Sequence, residues 1–227
     1  MKAVISGDII ASTALKTADK ALVESKLKAL FLDLNTHFNT YSRLIKGDYI
    51  ECVVPKPGNA LQIALIFKCL VKSLPISNPK SKSEQNKLKA FKTYGMRQAI
   101  GYGTLDRYDP ENDIIDGEAI HLSGRWVNEH STHSKQRVSV KSTLQFLSND
   151  ERLNTDFEPL FMLLDVLLNK ATSRQCEVAY LKLLGNSEEE IAAKLGIKQP
   201  VVNQHSTAIG WNAIEQATAY FNQKLAQ

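Results

Sequence analysis

The sequence predicts an α+β protein in which a domain of alternating strands and helices is followed by an all-helical domain. Up to about residue 150 the apolar residues switch between strand-like and helix-like spacing, whereas from residue 157 only helical spacing remains. A polar run over residues 149–156 separates the two patterns, as linkers between domains commonly do. We therefore predict one domain over residues 1–150 and a second over residues 157–227.

The first domain begins with six elements in the order β-α-β-β-α-β. Its long helix is the clearest, because Val23, Leu27, Leu30 and Leu34 recur at three- and four-residue steps. The predicted strands are residues 1–7, two strands that meet at Gly47-Asp48, and residues 94–103. The predicted helices are residues 17–38 and 58–71. This order is typical of a ferredoxin-like sheet that carries its helices on one face.

A basic stretch follows the second predicted helix. Between residues 68 and 98 the sequence has seven lysines and one arginine against a single acid, Glu84. Pro75, Pro79 and the serines around them predict an exposed loop over residues 75–92. Such a loop is either an ordinary solvated segment or an arm that attracts phosphate groups.

One more helix and one more strand are predicted before the linker. Asp116 is placed to cap the N-terminus of a helix over residues 117–127. The predicted buried side of that helix consists of Ala119, Leu122, Ser123 and Trp126. Residues 137–140 predict the strand, and Gly101 and Gly103 indicate a close approach by a ligand or a dimer partner.

The second domain contains three short helical patterns and a longer one that continues toward Phe221. The short ones cover residues 174–184, 187–195 and 199–207. Ser187 and Glu190 have the spacing of a capping box, and Gly185 and Gly196 are suited to helix C-termini. Together these features predict a helix-turn-helix.

Composition indicates a globular protein of the cytoplasm. The chain has 227 residues, a formal net charge of +4 and 43% hydrophobic residues. It has no run of about 18 apolar residues and no signal-peptide pattern, so we expect neither a membrane span nor secretion. Cys52, Cys69 and Cys176 lack Cys-x-x-Cys spacing, which argues against a disulfide framework or a zinc site and predicts buried thiols.

Two acidic residues stand where predicted strands end. Asp8 follows the apolar run over residues 3–5, and Asp48 lies in the turn between two predicted strands. Carboxylate oxygens held side by side suit Mg or Mn, so we predict a divalent-metal site. The alternative is that both are ordinary turn acids beside glycine.

Four fragments in this order resemble the successive motifs of class III nucleotidyl cyclase catalytic domains, over about residues 1–145. They are Asp-Ile-Ile-Ala-Ser-Thr from Asp8, Lys-Gly-Asp-Tyr-Ile from Lys46, Ile-Gly-Tyr-Gly from Ile100 and Gly-Glu-Ala-Ile-His-Leu-Ser-Gly-Arg from Gly117. Residues 173–205 resemble a LuxR-type or sigma-factor helix-turn-helix. A cyclase-like domain joined to such a module is similar to the SatD family.

The cyclase resemblance implies roles for particular residues. It implies that Asp8, Asp48 and the carbonyl of Ile9 bind the metal, and that Lys46 lies at the nucleotide. In the cyclases an Asn and an Arg four residues apart on one helix stabilise the transition state, and His121 and Arg125 occupy these positions here. Arg125 matches the family and His121 departs from it.

The two positions that read the base in the cyclases are occupied here by Leu44 and Ile114. Both are apolar, so the usual discrimination between adenine and guanine is missing. Metal carboxylates and a phosphate-facing Arg125 still suit a nucleoside triphosphate. The resemblance thus implies nucleotide binding more strongly than cyclisation, with His121 either catalytic or structural.

The helix-turn-helix has no net charge of its own, because residues 172–227 contain five basic and five acidic side chains. Its predicted DNA-facing residues are Lys198, Gln199, Asn203, Gln204 and His205. Amide side chains of this kind pair with adenine edges, whereas phosphate contacts would come from the lysines. The same helices are equally suited to dimerisation or packing.

Three functions follow from these observations. The first is a nucleotide-responsive DNA-binding transcriptional regulator with a degenerate cyclase-like sensor domain. The second is an active, metal-dependent nucleotidyl cyclase, and the third is a structural dimer or interaction module. A homodimer is expected in each case, because in the cyclases the metal acids of one chain face the arginine-bearing helix of another.

Overall fold

A computed structural model describes residues 1–77, 82–130 and 142–226 of the chain. Its strands are β1 (Lys2–Ile9), β2 (Tyr41–Ile45), β3 (Tyr49–Val54), β4 (Met96–Gly103), β5 (Arg107–Asp109), β6 (Ile114–Asp116) and β7 (Leu144–Ser148). Its helices are α1 (Thr17–Phe38), α2 (Ala60–Ser73), α3 (Lys82–Tyr94), α4 (Glu118–Glu129), α5 (Glu151–Lys170), α6 (Ser173–Leu183), α7 (Glu188–Leu195), α8 (Gln199–Ala208) and α9 (Trp211–Leu225). The predicted α+β class is confirmed.

Five of the strands form one mixed sheet in the order β2-β3-β1-β4-β7. β1 lies at the centre and runs antiparallel to both β3 and β4, while β7 is parallel to β4. β5 and β6 form a separate hairpin. The predicted strand over residues 137–140 lies outside the described residues.

Helices cover both faces of the sheet: α1 and α2, the helices of the predicted six-element order, share one face, and the additional helix α4 lies on the other. Apolar side chains of α1 and α2 pack with Ile5 and Ile9 of β1 in the main hydrophobic core. α4 packs on the opposite face, with Ala119 and Ile120 against Val4. The alternation of side chains along β1 thus supplies a core contact on each side of the sheet.

Gly101 is where α4 meets the sheet. A Cβ atom at this position would stand 2.0 Å from the carbonyl oxygen of Ala119, so only glycine admits the helix backbone this close. The close approach predicted for a ligand or dimer partner is therefore made at Gly101 by α4 itself.

The start and buried side of α4 also differ from the prediction. Gly117, with φ 140°, is the N-cap residue, while the Asp116 carboxylate pairs with His121. Ala119 and Ser123 are buried as predicted, but Leu122 and Trp126 are only half-buried. Ile120 and Val127 complete the buried side instead.

α3 occupies residues 82–94, where the sequence predicted an exposed loop. Leu88 and Phe91 lie one helical turn apart and are both buried against the main core. The residues between them and around them are mostly good helix formers, so two apolar anchors suffice to hold the helix.

The helical part shares its core with the sheet. α5 begins inside the polar run that was predicted as a linker, and its Phe157 ring lies 4.8 Å from that of Phe146 on β7. Phe221 of α9 lies 4.7 Å from Phe157 and 5.6 Å from Phe146. One hydrophobic core therefore includes residues on both sides of the predicted boundary at residues 149–156.

Part of the predicted basic stretch is buried beneath these helices. Lys68 of α2 is fully buried, and its Nζ donates to the carbonyls of Tyr94 and Met96 and to Thr143 Oγ1, at 3.0, 3.1 and 2.6 Å. Its counter-charge is Asp165 of α5, with Oδ1 at 3.5 Å. Lys72 and Arg97 are buried as well, so these three cations are not surface charges.

Within the described residues no helix is both long and apolar enough to span a membrane.

Candidate functional site

The sheet face beneath α4 carries a row of polar side chains. Residues of β1 with even numbers point to this face, because their odd-numbered neighbours belong to the main core. In the sheet register Tyr49, Asp8 and Arg97 lie opposite one another on β3, β1 and β4. The adjacent row places Arg43 opposite Glu51 on β2 and β3.

Asp8 is paired with a buried arginine. Its Oδ2 lies 3.7 Å from Nη1 of Arg97, whose side chain is 1% exposed. Among the described residues, Nε and Nη1 of Arg97 have no hydrogen-bond partner. Burial lowers the pKa of Arg97, while the Asp8 charge raises it. The predicted metal ligand is thus held by a cation in this structure.

A second ion pair lies in the adjacent row. Arg43 approaches Oε2 of Glu51 with Nε at 2.7 Å and Nη2 at 2.6 Å. Beside it, the hydroxyl of Ser6 is 2.8 Å from that of Ser123 on α4. Burial raises the pKa of Tyr49, against the opposing effect of its hydrogen bond with Ser6. These contacts tie β1, β3 and α4 together around Asp8.

Asp48 lies in the turn between β2 and β3, which is bound to the end of β1. Its carbonyl accepts a hydrogen bond from Ile9 N–H at 3.0 Å, and its Oδ2 accepts one from Ser12 Oγ at 2.6 Å. Lys46 in the same turn is exposed and has a φ of 53°. The structure therefore brings Asp8, Ile9 and Asp48 to one end of β1, with the two carboxylates on different partners.

His121 and Arg125 both lie on the exposed side of α4. The Nε2 atom of His121 is 2.9 Å from Oδ1 of Asp116, and both side chains are largely solvent-accessible. This pairing directs His121 toward Asp116 of the β5–β6 hairpin, whereas Arg125 is exposed.

The two predicted base-reading positions are separated by the sheet. Leu44 packs against the main core, on the side away from Asp8, and its strand neighbour Arg43 occupies the Asp8 side instead. Ile114 is half-buried in β6, next to Ile115, which packs against Val4 and Val53. The structure does not bring Leu44 to the carboxylates.

The β5–β6 hairpin packs against the face of the sheet that carries Asp8. Asp113 at its tip accepts hydrogen bonds from the Tyr41 hydroxyl and from Arg43. The Tyr41 and Tyr108 rings meet edge to face at 6.2 Å. Burial, together with Asp113, raises the pKa of Tyr41 to about 12. The hairpin is therefore held over Arg43 and Glu51.

The described residues contain no group of three or more His, Cys, Asp or Glu side chains placed to hold a metal ion. Magnesium, however, is commonly held by one or two carboxylates, with water and substrate phosphates as the remaining ligands. Two carboxylates, those of Asp8 and Asp48, lie at this end of β1.

Arg43, Glu51, Tyr49 and Arg97 were not predicted as site residues. Each is a polar residue inside an apolar strand, and this signal is visible in the sequence. Their common location depends on the strand register, which pairs Asp8 with Arg97 across 89 positions of the chain. The sequence pattern alone contains no such information.

The predicted DNA-facing residues lie on α8 or just before it. The capping box of Ser187 and Glu190 is present at the start of α7, and Gly196 ends that helix with a φ of 63°. Lys198, Asn203 and Gln204 are exposed, and Gln199 and His205 are half-buried.

Glu188 of α7 binds two of these side chains. Its Oε2 accepts hydrogen bonds from Gln199 at 2.6 Å and from Asn203 at 3.5 Å, the latter long, while its Oε1 pairs with Lys182 at 3.0 Å. The bond from Lys182 contributes most to lowering the pKa of Glu188. An anionic carboxylate therefore lies among the groups that were predicted to read DNA.

The chain matches no protein-family model, no curated protein and no solved structure.

Proposed function

We propose that this chain is a nucleotide-responsive, DNA-binding transcriptional regulator of the SatD type. In this proposal its sheet part is a ferredoxin-like, class III cyclase-like sensor, and α7 and α8 form a helix-turn-helix. The observation that carries the proposal is the contact of the β2–β3 turn with the end of β1, because Asp48 in that turn bonds to Ile9 and Ser12 next to the strand end that carries Asp8. The antiparallel order β2-β3-β1-β4 supports the same reading.

The proposed ligand is a nucleoside triphosphate with Mg or Mn. The ion would neutralise phosphate charge between the two carboxylates, and the Ile9 carbonyl is a further candidate ligand. Arg125 would contact a phosphate through charge-assisted hydrogen bonds. Lys46 stands beside Asp48, where an ammonium group favours the same anion.

Binding is favoured over cyclisation by two observations. His121 replaces the family's Asn and has Asp116 as a hydrogen-bonding partner 2.9 Å away. The base-reading positions Leu44 and Ile114 have no hydrogen-bonding side chain. We therefore assign the site to sensing and not to catalysis.

A homodimer is part of this proposal. Arg125 is exposed on the outer side of α4, where it is accessible to a second copy of the chain. In a head-to-tail dimer each Arg125 would complete the site of the partner, giving two equivalent sites. We further propose that the protein is cytoplasmic.

Changing Asp48 to Asn tests the sensor. We expect Asp48→Asn to abolish the Mn-dependent part of nucleoside triphosphate binding, because a metal ligand is lost, while the fold is retained. Arg125→Ala should weaken the same binding by about 1.5 to 3 kcal/mol. Isothermal titration with and without Mn measures both effects, and Asp33→Asn on α1 is the control for an exposed acid.

Asp48 is the better position for this test, because Asp8 is buried against Arg97 and its replacement would leave a buried cation unpaired. If Asp48→Asn leaves Mn-dependent affinity unchanged, the sensor proposal is wrong.

Replacing Asn203 with Ala tests the proposed DNA binding. In a helix-turn-helix the second helix reads base edges, so Asn203→Ala should lower affinity for a selected site by about 1 to 3 kcal/mol. Random DNA should be bound almost as before. Thr207→Ala, exposed near the other end of α8, is the matched control. Competition binding on a selected and a scrambled duplex measures the difference.

A second candidate function is a protein-interaction module, and the Glu188 contacts favour it. Gln199 and Asn203 already donate to Glu188, whose charge also repels phosphate. Selection from a random DNA pool separates the two functions. Enrichment of a motif supports the regulator, whereas no enrichment, with or without nucleotide, supports the interaction module.

A further inference from the structure

A cleft with a volume of about 600 Å³ lies between α3 and the junction of α5 with α6. Lys89, Lys92 and Thr93 line one wall, and Asn169, Lys170 and Thr172 line the other. The described lining contains three lysines and no acidic side chain. Leu88 and Phe91 of α3 belong to the main core, so the cleft lies on the α1 and α2 side of the sheet, away from Asp8.

The two walls are joined beneath the cleft by a buried cation. Nζ of Lys72, a residue 1% exposed, donates to the carbonyl of Thr93 at 2.6 Å and also to the carbonyl of Leu168. These carbonyls lie near the C-terminal ends of α3 and α5. Burial lowers the pKa of Lys72, and this effect outweighs nearby groups, Asp165 among them, that raise it. Lys72 thus links the two helix ends that form the walls of the cleft.

Asp165, an acid whose charge acts on Lys72, is already engaged. Asp165 accepts hydrogen bonds from the Thr143 backbone and hydroxyl and pairs with Lys68. Thr172 is the N-cap of α6, and helix N-termini favour anions, whereas the C-terminal ends of α3 and α5 at the same cleft disfavour them. The net attraction for an anion therefore comes from the lysines. Lys89 and Lys170 are exposed and extend this attraction to solvent.

We propose that this cleft binds a phosphate-bearing small molecule through Lys89 and Lys170. Its volume is within the range of small-molecule sites, and lysine ammonium groups bind phosphates as point charges. The site is separate from the proposed nucleotide site and does not depend on it.

Tripolyphosphate in a buffer with EDTA is the probe, since it has no base and needs no metal. The full-length chain should bind it saturably with one site per chain by isothermal titration. The paired change Lys89→Gln and Lys170→Gln should weaken this binding by about tenfold or more. The matched pair Lys26→Gln and Lys56→Gln, both at exposed positions, should alter it by less than about twofold.

Three outcomes would overturn the proposal: no saturable binding, equal weakening in both pairs, or unchanged affinity in the Lys89 and Lys170 pair. Circular dichroism and thermal melting check that each variant is folded. Asp48→Asn should leave this metal-free binding unchanged, so a failure here is distinct from a failure of the sensor proposal.

Discussion

Replacing Asp165 with Ala should lower the free energy of unfolding by about 3–5 kcal/mol, because it leaves a buried cation unpaired. Lys68 is completely buried, and Asp165 is its counter-charge at 3.5 Å. Asp165 also accepts from the backbone N–H of Thr143 at 2.7 Å. Its loss would therefore leave both a charge and a buried amide without their partner.

Chemical denaturation at about pH 6 measures this loss. Burial lowers the pKa of Lys68 to about 8, so the ammonium is charged in the native protein under these conditions. The control is Asp156→Ala, which removes an exposed pair with Lys224 at 3.3 Å and should cost less than about 1 kcal/mol. Similar losses in the two variants would contradict a structural role for the buried pair.

Replacing Phe221 with Ala should destabilise the sheet and the helical part together, by about 3–5 kcal/mol. Phe221 is fully buried and its ring contacts those of Phe146, Phe157 and Phe161, at 5.6, 4.7 and 5.9 Å. Since Phe146 belongs to β7, the cavity would open in a core that both parts share. We expect a single unfolding transition at a lower denaturant concentration.

Met162→Ala on α5 is the control, because Met162 is 60% exposed and should change stability by about 0.5 kcal/mol or less. Far-ultraviolet and tryptophan signals report on the transition, the latter from Trp126 on α4 and Trp211 on α9. Two separate transitions in the Phe221 variant would contradict a continuous core and support two independent domains.

The helices after residue 170 were predicted closely because their boundaries depend on local contacts. The capping box of Ser187 and Glu190 and the left-handed Gly196 are properties of a few neighbouring residues. α3 was missed because proline and serine signals nearby suggested a loop, whereas its stability comes from burial of Leu88 and Phe91 in a core formed by distant segments.

The same distinction applies to the charges. Lys68, Lys72 and Arg97 were counted with the basic surface stretch, and only tertiary packing shows that they are buried. For the candidate site, motif spacing predicted that Asp8 and Asp48 lie near each other at a strand end. Motif spacing did not predict that Arg97 pairs with Asp8, because that contact depends on the register of β1 with β4.

Hydrogen–deuterium exchange with a nucleoside triphosphate and Mn tests the central proposal most directly. The sensor proposal predicts Mn-dependent slowing of exchange at residues 9–12, at the turn over residues 46–49 and along α4, with ATP or GTP. The same experiment in EDTA identifies any metal-free phosphate binding at the α3 cleft. Exchange that is unchanged by Mn at residues 9–12 and 46–49 would contradict a metal–nucleotide site at Asp8 and Asp48.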